Sequence, residues 1–172
     1  MACDVTSGRK LPCKDSRIGI KSVDFAPFSE YGFTVAAQEI AALPIGLTTV
    51  FRYEVKGTGN KFDDVPTVNL ETRTVEYKQT LNLILQKVGA TTEVQLMLLL
   101  YGRVVAFVKD YNGNVFVVGI DSGMDATTAP RSTDTSGYTI TLEATDGSYA
   151  PYLSSTAKTA LEALVSVTVI TP

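Results

Sequence analysis

Hydrophobic and polar positions alternate most clearly over residues 75–87, where Leu81, Leu83 and Leu85 stand against Thr80, Asn82 and Gln86. A period of two is that of a strand with one buried face. Gly89 ends the alternation. Thr92, followed three residues later by Gln95, predicts a capping box that opens a short helix over 94–101. Gly102 is placed to stop that helix in the left-handed conformation a C-terminal cap uses. Two runs of β-branched and aromatic residues follow, 103–109 and 115–120, around Asp110-Tyr111-Asn112-Gly113-Asn114. Asn-Gly between two such runs predicts a hairpin. The stretch 75–120 thus reads strand, helix, hairpin, and the rest of the chain is arranged around it.

Residues 1–17 carry Gly8, Pro12 and several charges with little periodicity, which predicts an N-terminal arm. A first strand is expected over 18–25, irregular near Lys21-Ser22 and closed by Pro27. Residues 34–43 are rich in helix formers and follow a Thr that could cap, yet fit an extended surface stretch equally well. Pro44 and Gly46 end the segment either way. A strand is expected over 47–56, then a flexible loop over 57–60. Residues 67–86 are almost continuously extended, so they either break near Glu71-Thr72-Arg73 or form one long, bent strand. Residues 121–136 read as a long loop of small and polar residues. Strict alternation returns over 137–146, with Tyr138, Ile140 and Leu142 on one face, and Asp146-Gly147 turns the chain. The end reads as a helix over 156–164, capped by Ser154 or Ser155, and a strand-like run over 165–170. The sum is a mainly β fold of the α+β class in one domain. Leu81, Leu83, Leu85, Leu96, Leu99 and Val105 are its expected core.

The chain has 172 residues and 45% hydrophobic content, enough for a core without metal or disulfide support. Fifteen basic and 18 acidic residues give a net charge of −3 and a pI near 5.0, which argues against gripping nucleic-acid phosphates as the main task. There is no histidine, so the commonest general base and metal ligand is missing and a histidine-based hydrolase triad is excluded. No run approaches the length of a membrane span, and the N-terminus lacks the apolar core of a signal peptide. Cys3 and Cys13 are the only cysteines. Free thiols are the first reading and a later disulfide the second, since no further soft ligands complete a structural zinc site. Gly57-x-Gly59 with Lys61 lacks the ending of a phosphate-binding loop, and Asp63, Asp64, Asp121, Asp125 and Asp134 do not follow calcium-loop spacing. No catalytic, cofactor or metal residue is therefore assigned, and no enzyme activity is expected.

Leu96, Leu98, Leu99 and Leu100 make the 94–101 helix too apolar for one half in water. It is expected to lie between sheets or beneath another subunit. Together with the long strands, this points to assembly.

The order of long strand (75–87), short helix (92–101), Asn-Gly hairpin (103–120), polar loop and Gly137-Tyr-Thr-Ile-Thr-Leu-Glu resembles that of tube-forming structural proteins of tailed bacteriophages. It is also similar to the tube protein of contractile secretion systems. The opening Met1-Ala-Cys-Asp-Val-Thr-Ser-Gly-Arg and Leu11-Pro-Cys-Lys-Asp-Ser resembles virion proteins of phages from Bacteroidetes-type hosts, crAss-like ones included. The resemblance implies a β-barrel or two-sheet sandwich with one flanking helix, joined sheet to sheet into rings or a tail tube around a lumen. The genome would pass without sequence-specific binding, helped by an acidic balance. Partners would be copies of the chain and other tail or connector proteins in a virion assembled in the host cytoplasm, with no membrane. Subunit contacts are expected on the arm and the 121–136 loop, at Cys3, Arg9, Cys13, Asp121, Met124, Asp125, Arg131 and Asp134. The Cys-containing arm and the segment after Pro151 depart from the pattern, leaving a head–tail connector or tail hub ring and a capsid decoration protein as alternatives. A glycan- or receptor-binding module is the alternative of another class.

Overall fold

The computed structural model describes residues 7–9 and 16–166. In chain order the elements are β1 (Ile20–Pro27), β2 (Val35–Ala36), β3 (Glu39–Ile40), β4 (Phe51–Glu54), β5 (Lys61–Asn69), β6 (Thr74–Gln86) and α1 (Ala90–Tyr101). There follow β7 (Arg103–Asp110), β8 (Val115–Val118), β9 (Met124–Thr128), β10 (Arg131–Ser132), β11 (Gly137–Asp146), β12 (Tyr152–Leu153) and α2 (Ser155–Leu164). The fold is mainly β, as the alternation predicts.

β6 and β11 occupy the two most regular alternating stretches, and they pair antiparallel from Gly137↔Gln86 to Asp146↔Tyr77. The long extended run breaks where its polar residues allow, the Asn69 side chain accepting from the Glu71 and Thr72 amides in the turn between β5 and β6. The Asn-Gly hairpin forms around Asp110, whose Oδ1 accepts from the amides of Asn112 and Asn114 at 2.9 and 2.8 Å. In β1 the register slips between Ile20 and Ser22, so the irregularity falls at Lys21 as expected. Ser154 caps α2, its Oγ accepting from the Ala157 amide. Beyond Val165, which bridges to Val50, only Ser166 is described, so most of the expected 165–170 strand lies outside the described residues.

Residues 34–43 take the extended of their two readings and form β2 and β3, joined through Ala37 and Gln38 at φ 50° and 63°, while other expectations are corrected. Two consecutive positive φ values make the tight turn whose twist suits a hairpin. The 47–56 strand shrinks to the four residues of β4. Helix α1 starts earlier than the capping box predicts, with Gly89 at the cap position and no side-chain cap bond. Gly102 ends it in an extended conformation, φ −105°, its amide donating to the Leu98 carbonyl. The 121–136 loop contains β9 and β10, both paired to β11.

Among the described residues twelve strands join one mixed sheet, its main path running β2-β3-β12-β8-β7-β9-β11-β6-β5. The path is open, so the closed barrel does not form. Instead β7 is shared: it pairs β1 along one edge, while the other edge holds β9 at Arg103–Val104 and β8 from Ala106 onward. The limb β9-β11-β6-β5 packs across a first core, built from Leu81, Leu83, Ile140 and Leu142, onto Val104, Ala106 and Val108 of β7. Val105 and Phe107 on the opposite face of β7 meet α2 through Leu161 in a second core. A strand buried on both faces reads as an unbroken apolar run, and Val104 to Val108 is one. Of the expected core residues, all but Leu85 are buried; Leu85 is partly covered.

Candidate functional site

Helix α1 carries two apolar faces. Leu96 and Leu99 are buried in the first core, whereas Val94, Met97, Leu98 and Tyr101 are 55, 53, 61 and 86% exposed. These four follow i, i+3, i+4 and i+7 spacing and so form one continuous stripe. The helix has a single charged residue, Glu93, at its start. That start is held firmly: Glu93 Oε1 accepts from the Arg131 guanidinium at 2.8 Å and from the Tyr138 hydroxyl at 3.0 Å. The same contacts, Arg131 first, hold the Glu93 carboxyl below the usual carboxylate range. The stripe is thus presented by a fixed helix and left without cover by the described residues.

A second bare surface is the far half of the β5–β6 hairpin. Directly opposed residues share a face, so the inward ladder runs Phe62/Leu81, Asp64/Gln79, Pro66/Tyr77 and Val68/Val75. Its first rung lies in the core. Strand β11 makes its last pair at Asp146↔Tyr77, and beyond that point β6 runs on past its neighbour. Val68, Val75 and the turn residue Leu70 are 58, 44 and 80% exposed. β5 is also the end of the sheet path, and Pro66, which cannot donate to a ladder, suits such an edge.

The residues expected to carry subunit contacts are dispersed. Cys3 and Cys13 lie outside the described residues. Arg9, Asp125 and Asp134 are exposed, and Asp121 accepts from the Gly147 amide at 3.2 Å. Arg131 borders the α1 stripe through its ion pair with Glu93. Met124 is wholly buried in the first core, so its side chain packs the fold and is not available to a partner. The hairpin overhang is not legible in the sequence, because its residues continue the alternation of the long extended run 67–86. The α1 stripe was signalled by the excess of leucine.

Where the inward ladder turns polar, Asp64 and Gln79 face one another across β5 and β6. Gln79 is fully buried; its Oε1 accepts from the Gly119 amide, while its Nε2, like Asp64 Oδ1, has no hydrogen-bond partner among the described residues. Asp64 Oδ2 takes the Ala150 amide at 2.7 Å, and Asp146 Oδ2 takes that of Ile120 at 3.0 Å. Burial pushes both carboxyls up, with a further rise at Asp146 from the charge of Asp121 and at Asp64 from that of Asp146. The cluster closes the polar end of the core and pins the loop before β9 and the turn after β11. Among the described residues no group of three or more His, Cys, Asp or Glu is arranged to hold a metal, and no helix is long and apolar enough to cross a membrane.

No family model, curated protein or solved structure matches the chain.

Proposed function

We propose that this chain is a virion structural protein that assembles with its own copies into the rings or tube of a phage tail, through which the genome passes. The observation that carries the assembly reading is the pair of bare apolar surfaces, the α1 stripe and the β5–β6 overhang, on one subunit. Monomeric proteins rarely leave contiguous apolar patches larger than a few hundred Å² in water, whereas subunits of assemblies do. The free edge of β5 adds backbone donors and acceptors that a neighbouring sheet can use. The tail setting rests on the order of elements and on the wording of the N-terminus. Arg131 at the border of the α1 stripe and the exposed Asp125 and Asp134 supply polar contacts to the neighbouring copy, and the net charge of −3 keeps a DNA conduit from sticking to its cargo.

The test is the solution mass of the full chain over a wide concentration range, with negative-stain electron microscopy of the most concentrated sample. Rings or tubes with an open centre are expected. A protein that stays monomeric throughout would overturn the reading.

A further inference from the structure

Building on that reading, we infer that the two bare surfaces are the two halves of one contact: the β5–β6 tip of one copy seats on the α1 stripe of the next. Within one chain they cannot meet. β6 is 13 residues long, so its ends lie roughly 40 Å apart at a strand's rise per residue. The hairpin tip stands at one end, and α1 begins beyond the other. The helix runs back alongside β9, but Arg103 pairs Asp125, Asp125 pairs Glu143 and Glu143 pairs Thr80. Tyr101 therefore sits about level with Thr80, which leaves roughly 20 Å to the tip at Thr74.

The surfaces match in chemistry and in size. Val68, Leu70 and Val75 carry no charge, nor does the stripe. Each is rimmed by both signs: Glu71 and Arg73 flank the tip, while Glu93 and Arg131 border the helix. Pro66 hinders strand addition along the β5 edge near the tip, which favours a contact through the face of the hairpin. They are also comparable in extent, three exposed apolar side chains at the tip (Val68, Leu70, Val75) against four along the stripe (Val94, Met97, Leu98, Tyr101). Because the patches differ, the contact is head-to-tail: it closes a ring if the rotation allows and otherwise propagates as a filament.

The test uses Leu70→Asp and Leu98→Asp, made separately in the full chain. Both side chains are exposed, so each variant should unfold at the wild-type temperature; Leu70→Ser and Leu98→Gln replace any that does not. Each variant alone should self-associate ~30-fold or more weakly than wild type. Mixed in equal amounts they should form a one-to-one heterodimer and nothing larger, since only one of the two contacts between them keeps both halves intact. Wild-type assembly by either variant would overturn the inference and leave self-assembly standing, as would a mixture in which both remain monomeric. Wild-type protein that never associates would overturn both.

Discussion

Arg52→Met tests what ties the second core together. Asp24 of β1 is 1% exposed and lies directly across from Arg52 of β4, whose Nε and Nη2 each donate to one of its carboxylate oxygens at 2.7 Å. The remaining guanidinium nitrogen, Nη1, donates to Glu162 of α2, which also pairs with Lys109 of β7. One side chain thus links two strands to the helix that covers them. Methionine keeps the stem and removes the donors, leaving the buried Asp24 carboxyl without its partner, while Glu162 keeps Lys109. Breaking a buried pair from one side costs about 3–5 kcal/mol, against about 0–1 for an exposed pair. Asp24 is the buried partner, so the larger figure applies. For a chain of this length each kcal/mol shifts the unfolding temperature by about 2–4 °C, so a fall of about 10 °C is expected. Urea unfolding at pH 7 gives the free energy and calorimetry the temperature. The double variant Asp24→Val/Arg52→Met removes the orphaned carboxyl as well and should recover most of the loss. A single variant losing under ~1 kcal/mol, or a double variant no more stable than the single, would refute the reasoning.

Glu162 is held at about 2, first by its bond to Arg52 and then by Lys109, against some burial. Its folded-state value is depressed, so its stabilisation is complete above the ordinary 4.5 and is lost as pH falls toward 2. Its side chain is 43% exposed and solvent screens the pair, so Glu162→Gln should cost only about 1 kcal/mol at pH 7 and a small fraction of that at pH 2, read from urea unfolding at both. Asp146 has the opposite sign. Its carboxyl is raised by burial, so the folded state binds the proton more tightly and stability should rise as pH falls through the folded value, levelling near the unfolded 3.8. Asp146→Asn should flatten part of that rise, Asp64 supplying the remainder for the same reason; an unchanged slope of stability against pH would contradict this. Gly137→Ala would place a Cβ within 2.5 Å of the Leu85 carbonyl oxygen, where β11 first pairs with β6. Backbone must move to admit it, so a loss of about 1–3 kcal/mol is expected in the same unfolding assay, with faster amide exchange at that end of the ladder.

Local pattern determined much of this protein. The alternation over 75–87 and 137–146, the Asn-Gly hairpin, the Ser154 cap and the unbroken apolar run of β7 each follow from neighbours a few residues apart, because side-chain faces and turn chemistry are set at that range. The apolarity of α1 announced a helix needing cover on more than one side. What pairs with what is decided across the whole chain, and there the pattern was silent. Residues 34–43 had good helix formers but no long apolar face, and pairing with β12 turned them into strands. Residues 121–136 carried loop composition, yet β11 offered an open edge that drew in β9 and β10 and buried Met124. The hairpin overhang shows the division best. Val68 and Val75 alternate as core residues do, and they stand in water only because β11 turns away at Asp146, a non-local event that no window around either valine contains.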